Sequence, residues 1–246
     1  MRSEGGRFIP HSMRISFITL FPEMIQQALN HSIIARAQEA GLLEIECVTP
    51  REFAEDRHKK VDDRSYGGGP GMVMMPHMIQ QAVDSLAEPK PLVLLTDPAG
   101  ELFTQSHAQE FSQHNHIAII CGHYEGIDER VRTQIADRSF TVGDFVLTGG
   151  ELPALIMTDA IIRLIPGVLG DPQSHQDDSH TDGLLGFPLY TTPREFDGEP
   201  VPDVLLSGNH AEIDKWRRKQ QLERTKRHRP DLFCQAELQP GDADLL

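Results

Sequence analysis

Two short, uninterrupted apolar runs, PLVLLT at 91–96 and HIAIIC at 116–121, most strongly limit the folds open to this chain. Such runs are typical of strands that are buried on both faces of a parallel sheet. The patterns at 13–20 and 43–49 predict two further strands, and helical patterns lie between the strands. This alternation predicts an α/β fold in which a parallel sheet carries helices on both faces.

Apolar spacing and terminal residues predict five helices before residue 170. They lie at 22–29, at 33–40 with a cap at Ser32 and a stop at Gly41, at 77–87, at 103–113 and at 151–165. The last is a continuous apolar run with Glu151 and Pro153 in its first turn. We expect it to be buried on most sides, with Arg163 at its C-terminal end.

Composition excludes several classes of protein. At 246 residues the chain is long enough for one large domain or for a medium and a small one. No apolar run approaches the roughly 20 residues that span a bilayer, so we expect no membrane partner. Residues 1–12 are polar and lack the apolar centre of a signal peptide, and we interpret them as a tag or leader before Met13.

Cysteine and histidine usage bears on metals and on compartment. The three cysteines are widely separated and form no CxxC pair, which favours a reducing, cytoplasmic compartment and predicts neither disulfides nor a zinc cluster. Twelve histidines are present, but none of them forms an HExxH motif. We expect His114 and His116 to be solvated residues at the edge of a strand rather than ligands.

The charge distribution is strongly segregated. The formal net charge of −14 argues against nucleic-acid binding by the whole surface. Between 215 and 229, however, eight Lys or Arg residues face a single acid, Glu223. Two interpretations stay open on this evidence alone, a solvated helix face and a phosphate-binding surface.

Glycine-rich loops follow the predicted strands. Four glycines within 67–71 exclude a helix or a central strand and predict a long functional loop. The loop contains neither GK[ST] nor GxGxxG, so neither ATP nor a Rossmann dinucleotide is implied. Three further loops follow predicted strand ends. They begin after Thr96, with a turn at 97–100, after Cys121 and at Val142. Because ligands bind at the carboxyl ends of parallel strands, these three loops are candidates for one pocket.

The amino-acid composition changes after Leu169. No large apolar residue occurs between 171 and 183, which predicts a flexible linker. We therefore divide the chain into a domain at 13–168, a linker at 169–187 and a small helical domain at 188–246. A helix is predicted at 209–224, with Ser207 or Asn209 as its cap.

Six strings of this sequence closely resemble a known family. They occur in the same order as in that family and are spread over nearly the whole range from 13 to 229: LFPEM (20–24), VDDRSYGGGPGMVM (61–74), CGHYEGIDERV (121–131), VGDFVLTGGELPA (142–154), RLIPGVLG (163–170) and LLSGNHAEI (205–213). The family that they resemble is that of the bacterial tRNA (guanine-N1)-methyltransferases, of the SPOUT superfamily.

The resemblance implies an S-adenosyl-L-methionine-dependent enzyme. It would methylate N1 of the guanosine at position 37 of tRNA, next to the anticodon. The implied fold is a SPOUT-type parallel sheet with a C-terminal trefoil knot, followed by a small all-helical domain that binds tRNA. The implied assembly is a homodimer with the active site at the subunit interface. The family also suggests Mg²⁺, although no carboxylate cluster in the sequence identifies a metal site.

Carried over by position, the resemblance names the catalytic residues. Asp178 would be the base that removes the guanine proton, and Arg163 would stabilise the charge that develops on the guanine oxygen. Chemistry alone does not decide between Asp177 and Asp178, and the motif favours Asp178. The alternative, non-catalytic interpretations are that Asp178 is a solvated acid of the linker and that Arg163 is a cation at the C-terminal end of a helix.

The resemblance also names binding residues. Asp97 departs from the family pattern, which has a small hydroxyl residue there, whereas Glu125 would face the positive end of the donor. Trp216 is expected to serve packing rather than base stacking. The donor site would comprise Leu95, Thr96, Asp97, Pro98, Gly122, Tyr124, Glu125, Val142, Gly143, Asp144, Phe145, Val146, Leu147, Gly149 and Gly150. The RNA would contact Tyr66, Gly69, Gly71, Ser207, Asn209, His210, Lys215, Arg217 and Arg218.

Two other functions remain compatible with the residues. One is a SPOUT methyltransferase that acts on a different RNA. The other is a non-catalytic RNA-binding protein that keeps a relic of the pocket.

Overall fold

The computed structural model describes residues 12–169 and 178–246. The chain divides into an N-terminal unit that ends at Pro172 and a C-terminal unit that begins at Gln173. Asp177 lies outside the described residues. Within the described ranges, no helix is both long and apolar enough to cross a membrane.

The N-terminal unit alternates strands and helices, as the sequence predicts. Its elements are β1 (Met13–Ile18), α1 (Pro22–Leu29), α2 (Ser32–Glu39), β2 (Leu43–Val48), a 3-10 helix (Pro50–Phe53), β3 (Asp62–Asp63), β4 (Val73–Met74), α3 (Pro76–Asp84), β5 (Leu92–Leu102), α4 (Gln105–Phe111), β6 (His116–Cys121), α5 (Glu129–Gln134), β7 (Arg138–Thr141) and α6 (Glu151–Ile162).

Five of these strands form one parallel sheet in the order β2-β1-β6-β5-β7. Successive side chains of a strand point to opposite faces, and the sheet accordingly packs on two apolar cores. On β6, Ile117 and Ile119 face α1, α4 and α6, while Ala118 and Ile120 face α3 and α5. The predicted parallel sheet with helices on both faces is confirmed.

The turn predicted at 97–100 does not end its strand. Leu94–Thr96 pair with β7, the register then breaks, and Glu101 and Leu102 pair with β7 again. Residues 97–100 therefore form a bulge within β5. A Cβ atom on Gly100 would lie 2.5 Å from the amide nitrogen of Phe140, so only glycine lets the bulge lie this close to β7.

Helix α6 is less buried than the sequence predicts. Its inner face packs in the core, and buried Glu151 accepts a 2.8 Å hydrogen bond from Thr19 Oγ1. Leu152 and Ile156, however, are 45% and 53% exposed. The expectation of burial on most sides was wrong because the sheet and its neighbouring helices cover only one face. Arg163 is the C-cap residue, as predicted.

Two smaller predictions are also corrected. Ser32 is the first residue of α2 rather than its cap, and no side chain caps this helix. A capping side chain acts from the extended residue before the helix, which here is His31. His116 is buried, with its ring nitrogens 2.9 Å from Ser16 Oγ and 2.8 Å from the Pro89 carbonyl. It is not solvated because β6 is the central strand of the sheet.

The C-terminal unit is mostly helical but not wholly so. It contains β8 (Glu195–Phe196), β9 (Glu199–Pro200), α7 (Asp203–Leu206), α8 (His210–His228), α9 (Pro230–Gln235) and a 3-10 helix (Asp242–Leu245). The two short strands pair antiparallel, so the expectation of an all-helical domain needs this correction. Asn209 caps α8, as one of the two predicted candidates.

The first described residues of this unit pack against α8. Leu184 is buried, and the amide of Leu185 donates a 2.9 Å hydrogen bond to Thr225 Oγ1. Asp182 pairs with Arg218 at 2.7 Å. Residues 178–187 are therefore held within the C-terminal unit.

Candidate functional site

Three segments meet around a cavity of about 430 Å³, which lies at the bulge of β5 and at the carboxyl ends of β6 and β7. These strands are neighbours in the sheet, so the segments that follow them are brought together. All of the predicted donor-binding residues line the cavity except Gly143 and Asp144. Those that do are Leu95, Thr96, Asp97, Pro98, Gly122, Tyr124, Glu125, Val142, Phe145, Val146, Leu147, Gly149 and Gly150.

Backbone contacts fix the floor of the cavity. The amide of Gly150 donates a 2.7 Å hydrogen bond to the carbonyl of Gly122, and Thr96 Oγ1 donates to the Ile120 carbonyl at 3.1 Å. A Cβ atom on Gly150 would lie 2.7 Å from the Gly122 nitrogen. The close approach of two backbone segments therefore requires a glycine at position 150.

The loop after β7 supplies an apolar wall. Phe145 and Val146 are 56% and 85% exposed, although both are large apolar residues beside the cavity. A flat apolar ligand surface would cover them. A purine is one such ligand, since its ring is apolar on both faces and its edges can bond backbone groups.

Tyr124 adopts an unusual backbone conformation in the second loop. Its φ is +62°, in the left-handed region that favours glycine, and its hydroxyl accepts a 3.4 Å hydrogen bond from Arg51 Nη2. Strain of this kind is found at ligand sites and must be held by surrounding contacts. The following residue supplies one such contact, because the amide of Glu125 donates to the Met72 carbonyl at 3.0 Å.

The same contact places the glycine-rich loop beside the cavity. The amide of Met74 donates to the Gly126 carbonyl at 3.0 Å, and a Cβ on Gly71 would lie 2.6 Å from Glu125 Oε1. Gly69 and Gly71 both have positive φ, and Tyr66 is fully exposed. The predicted RNA loop is thus anchored next to the predicted donor loops, with its aromatic residue open to solvent.

Sequence analysis missed several residues that line the cavity. The most consequential is Arg132 on α5, whose Nη2 lies 2.5 Å from Asp97 Oδ2. The acid Asp97 in the loop at 97–100 indicates that a positively charged partner lies nearby, but the sequence alone does not identify that partner. The other unpredicted lining residues are Ala99, His123, Gly126, Ile127, Glu129, Phe140, Thr141, Thr148 and Pro153.

The two predicted catalytic residues belong to different units. Arg163 is exposed at the end of α6 in the N-terminal unit. Asp178 is half-buried and is the first described residue of the C-terminal unit. Neither unit by itself contains both residues.

The basic helix α8 has two kinds of cation. Lys215 is exposed, whereas the Arg217 guanidinium lies 4.9 Å from the Phe187 ring centroid. Arg218 is held by two carboxylates, with its Nη2 2.7 Å from Asp242 and its Nη1 2.7 Å from Asp182. Its hydrogen bond holds the pKa of Asp242 below the ordinary value.

Other predicted residues of this unit also have defined surroundings. Ser207, Asn209 and His210 are exposed at the start of α8. The ring of Trp216 lies 6.3 Å from that of Tyr190, which agrees with a packing role. The prediction that Arg218 contacts RNA stays a prediction, and its ion pairs give it a structural role as well.

Metal binding finds no support in the side-chain arrangement. Among residues 12–169 and 178–246, no group of three or more His, Cys, Asp or Glu side chains is placed to hold a metal ion. We therefore assign no chemical step to Mg²⁺.

Known proteins resemble this chain over nearly its whole length. A family model described as "tRNA (Guanine-1)-methyltransferase TrmD" matches residues 13–235. Proteins named tRNA (guanine-N(1)-)-methyltransferase from Staphylococcus aureus strains Newman and USA300 are each 55% identical over 235 residues, covering 95% of this chain and 96% of the relative. The chain belongs to the tRNA (guanine-1)-methyltransferase family.

Proposed function

We propose that this protein transfers a methyl group from S-adenosyl-L-methionine to N1 of the guanosine at position 37 of tRNA. The observation that carries the proposal is the cavity at the bulge of β5 and the ends of β6 and β7, which gathers nearly all of the residues expected to hold the donor. Family membership supports the substrate class. A cytoplasmic location follows from a tRNA substrate.

The cavity suits the proposed donor, which supplies an electrophilic methyl group on a sulfonium sulfur. The apolar side chains of Val142, Phe145 and Val146 would cover the adenine, and glycine backbone would bond its edges. Glu125 would lie near the positive sulfur, where an opposite charge is favourable.

Two charged residues would carry the methyl transfer. Guanine N1 bears a proton at neutral pH, so it attacks weakly until a positioned base removes that proton. We propose Asp178 for this role, which is worth about 100-fold to 10,000-fold in rate. Proton removal places negative charge on the guanine carbonyl oxygen, and the Arg163 guanidinium would stabilise that charge as it forms.

We propose that a second subunit completes the active site, as the family resemblance implies. Arg163 and Asp178 lie in separate units, and exposed apolar residues lie on two neighbouring helical segments of the N-terminal unit. These residues are Phe21, Met24, Leu152 and Ile156, which are 42%, 40%, 45% and 53% exposed. Such a surface fits a two-fold homodimer in which one subunit supplies Arg163 and the other supplies Asp178.

We also propose the trefoil knot of the family. The segment 142–150 leaves β7 at the edge of the sheet and returns to Gly122, at the end of β6. Strand β5 and its bulge lie between these two points. A path that passes back across a neighbouring strand end in this way supports a threaded chain.

The RNA would be held by the glycine-rich loop and by α8. An extruded guanine needs a flat or backbone-lined pocket, which Tyr66, Gly69 and Gly71 could form beside Glu125. Exposed Lys215 and the start of α8 at 207–210 would contact phosphates.

Tritium transfer from labelled donor to tRNA transcripts tests the proposal. A transcript with guanosine at 36 and 37 should be labelled, and one with position 37 replaced should not. Labelling of a ribosomal RNA fragment in preference to tRNA would support the alternative substrate. Absence of saturable donor binding in calorimetry would support the non-catalytic alternative.

Asp178→Ala tests the proposed base. It should lower the rate of methyl transfer at least 100-fold while donor affinity is kept. Asp244→Ala removes an exposed carboxylate from the same unit and serves as the matched control. If the Asp178→Ala protein turned over at the wild-type rate, the catalytic base would have to be a different residue.

A further inference from the structure

The loop at 97–100 is held by a contact that none of the family strings predicts. Arg132 on α5 places Nη2 2.5 Å from Asp97 Oδ2, and its Nη1 donates to the Ala99 carbonyl at 3.4 Å. Both side chains are about one quarter exposed, at 26% and 25%. A single guanidinium thus binds the acid of the loop and its backbone.

The bulge needs such a contact because its residues do not pair with β7. Between Thr96 and Glu101 the ladder with β7 is interrupted, so the intervening residues lack the strand pairing that fixes the rest of β5. Asp97 Oδ1 accepts a 2.8 Å hydrogen bond from the amide of Ala99, which shapes the turn locally. Arg132 supplies the attachment to a second element.

That second element follows the next ligand loop. Helix α5 begins at Glu129, directly after the loop that leaves β6 and contains Tyr124 and Glu125. The ion pair therefore joins the first wall of the cavity to the segment that carries the second. The spacing between these two walls sets the width of the site.

The ion pair between Asp97 and Arg132 also determines which acidic side chain of the cavity wall is left without a cationic partner among the lining residues. Three acidic side chains line it: Asp97, Glu125 and Glu129. Arg132 pairs with Asp97 and lies 3.6 Å from Glu129. Both oxygens of Asp97 are engaged by Arg132 and by the Ala99 amide. Glu125 is then the lining acid left to face a cationic ligand.

We propose that Asp97 and Arg132 are positioning residues of the donor site: their ion pair fixes the bulge against α5 and leaves Glu125 as the carboxylate for the sulfonium. This proposal rests on the proposed function of the cavity. It also gives a role to the acid at 97, where the family pattern leads one to expect a small hydroxyl residue. Asp97 acts through the loop and does not contact the donor itself.

A double-mutant cycle tests the pair. Arg132→Met removes the charge and keeps the apolar stem, and Asp97→Asn keeps the acceptor for the Ala99 amide. Each single variant should weaken S-adenosyl-L-methionine binding about tenfold in calorimetry, the loss expected when a charged hydrogen-bond partner is removed. The double variant should lose no more affinity for the donor than the single variant that binds it less tightly. The reason is that both substitutions remove the same contact.

The matched control lies on the same helix. Arg130 also pairs with an aspartate, Asp128, at 2.6 Å, but neither of these two residues lines the cavity. Arg130→Met should bind the donor as the wild type does. In turnover assays Arg132→Met should raise KM for the donor about tenfold with kcat changed less than about twofold, and Arg132→Lys should restore part of the loss. A merely structural role would lower the apparent kcat through loss of folded enzyme and would leave KM for the donor unchanged.

Amide hydrogen exchange gives a readout that needs no donor. In the ligand-free protein, Arg132→Met should speed exchange at 97–101 and leave β1 unchanged. Unchanged exchange, additive losses in the cycle, or an equal loss in Arg130→Met would each overturn the proposal. A different outcome is that the wild-type protein binds no donor and that Arg132→Met still speeds exchange at 97–101. This result would reject the proposed function, but it would support the role of the ion pair in holding the loop.

Discussion

The amide of Gly150 donates a 2.7 Å hydrogen bond to the carbonyl of Gly122, which joins the loop after β7 to the end of β6. The two residues are far apart in the sequence, and their approach closes the floor of the cavity. No side chain fits between them. Much of the site is therefore built from backbone.

Gly150→Ala should damage the site through this contact. The new Cβ atom would lie 2.7 Å from the Gly122 nitrogen and 2.8 Å from the Cys121 Cα, both of which are rigid backbone. We expect a loss of about 1–3 kcal/mol in the free energy of unfolding and loss of donor binding, measured by urea titration and calorimetry. Gly198→Ala, at a positive φ in open space, should leave donor binding intact. Wild-type affinity in Gly150→Ala would contradict the packing argument.

Arg163→Lys should separate catalysis from helix stability. Lysine keeps the positive charge at the end of α6, so the melting temperature should not change. It loses the planar fork, and kcat should fall about 100-fold or more with donor affinity preserved. Arg36→Lys, in the last turn of α2, is the control and should be fully active. Normal kcat in Arg163→Lys would reduce Arg163 to a cation that ends a helix.

Asp242 should make the C-terminal unit sensitive to acid. The hydrogen bond from Arg218 holds the pKa of this buried carboxyl below its usual 3.8. A lowered folded-state pKa stabilises the fold above the ordinary value, and that stability is lost as pH falls through the folded-state pKa. Stability should thus decline as pH drops below about 4, and this part of the decline should vanish in Asp242→Asn.

Trp216 is the one tryptophan of the chain, and its fluorescence reports urea unfolding of this unit. At neutral pH Asp242→Asn should cost about 3 kcal/mol, because Arg218 is left without its main partner. Asp244→Asn should behave as the wild type. Equal acid sensitivity in wild type and Asp242→Asn would show that other groups dominate.

The three thiols should differ in reactivity. Burial raises the pKa of Cys47 to about 11 and raises that of the wholly buried Cys121 well above its ordinary value. Cys234 is exposed. Because the thiolate is the nucleophile, iodoacetamide at pH 8 should alkylate Cys234 first, and the other two only in denaturant. Mass spectrometry of Cys234→Ser should then find little label in the native protein, and rapid labelling of Cys121 would contradict its burial.

The sequence by itself determined the sheet, because its strands are written as local apolar patterns. The run at 116–121 is β6 to the residue, and strand–helix alternation made the sheet parallel. Glycines after the strands located the loops that line the cavity for the same reason, since a backbone requirement is visible in residue type. Asn209 capped α8 as predicted, because a cap is a contact between near neighbours in sequence.

Only the tertiary structure decided which distant residues meet. His116 was predicted to be solvated, but β6 became the central strand and buried it. Helix α6 was predicted to be buried on most sides, but Leu152 and Ile156 are exposed because none of the described elements of the N-terminal unit covers their face. The bulge in β5 and the pairing of Asp97 with Arg132 likewise depend on the position of β7 and α5. Local sequence fixes what each segment can form, whereas burial and charge partners arise from packing among segments that the sequence separates.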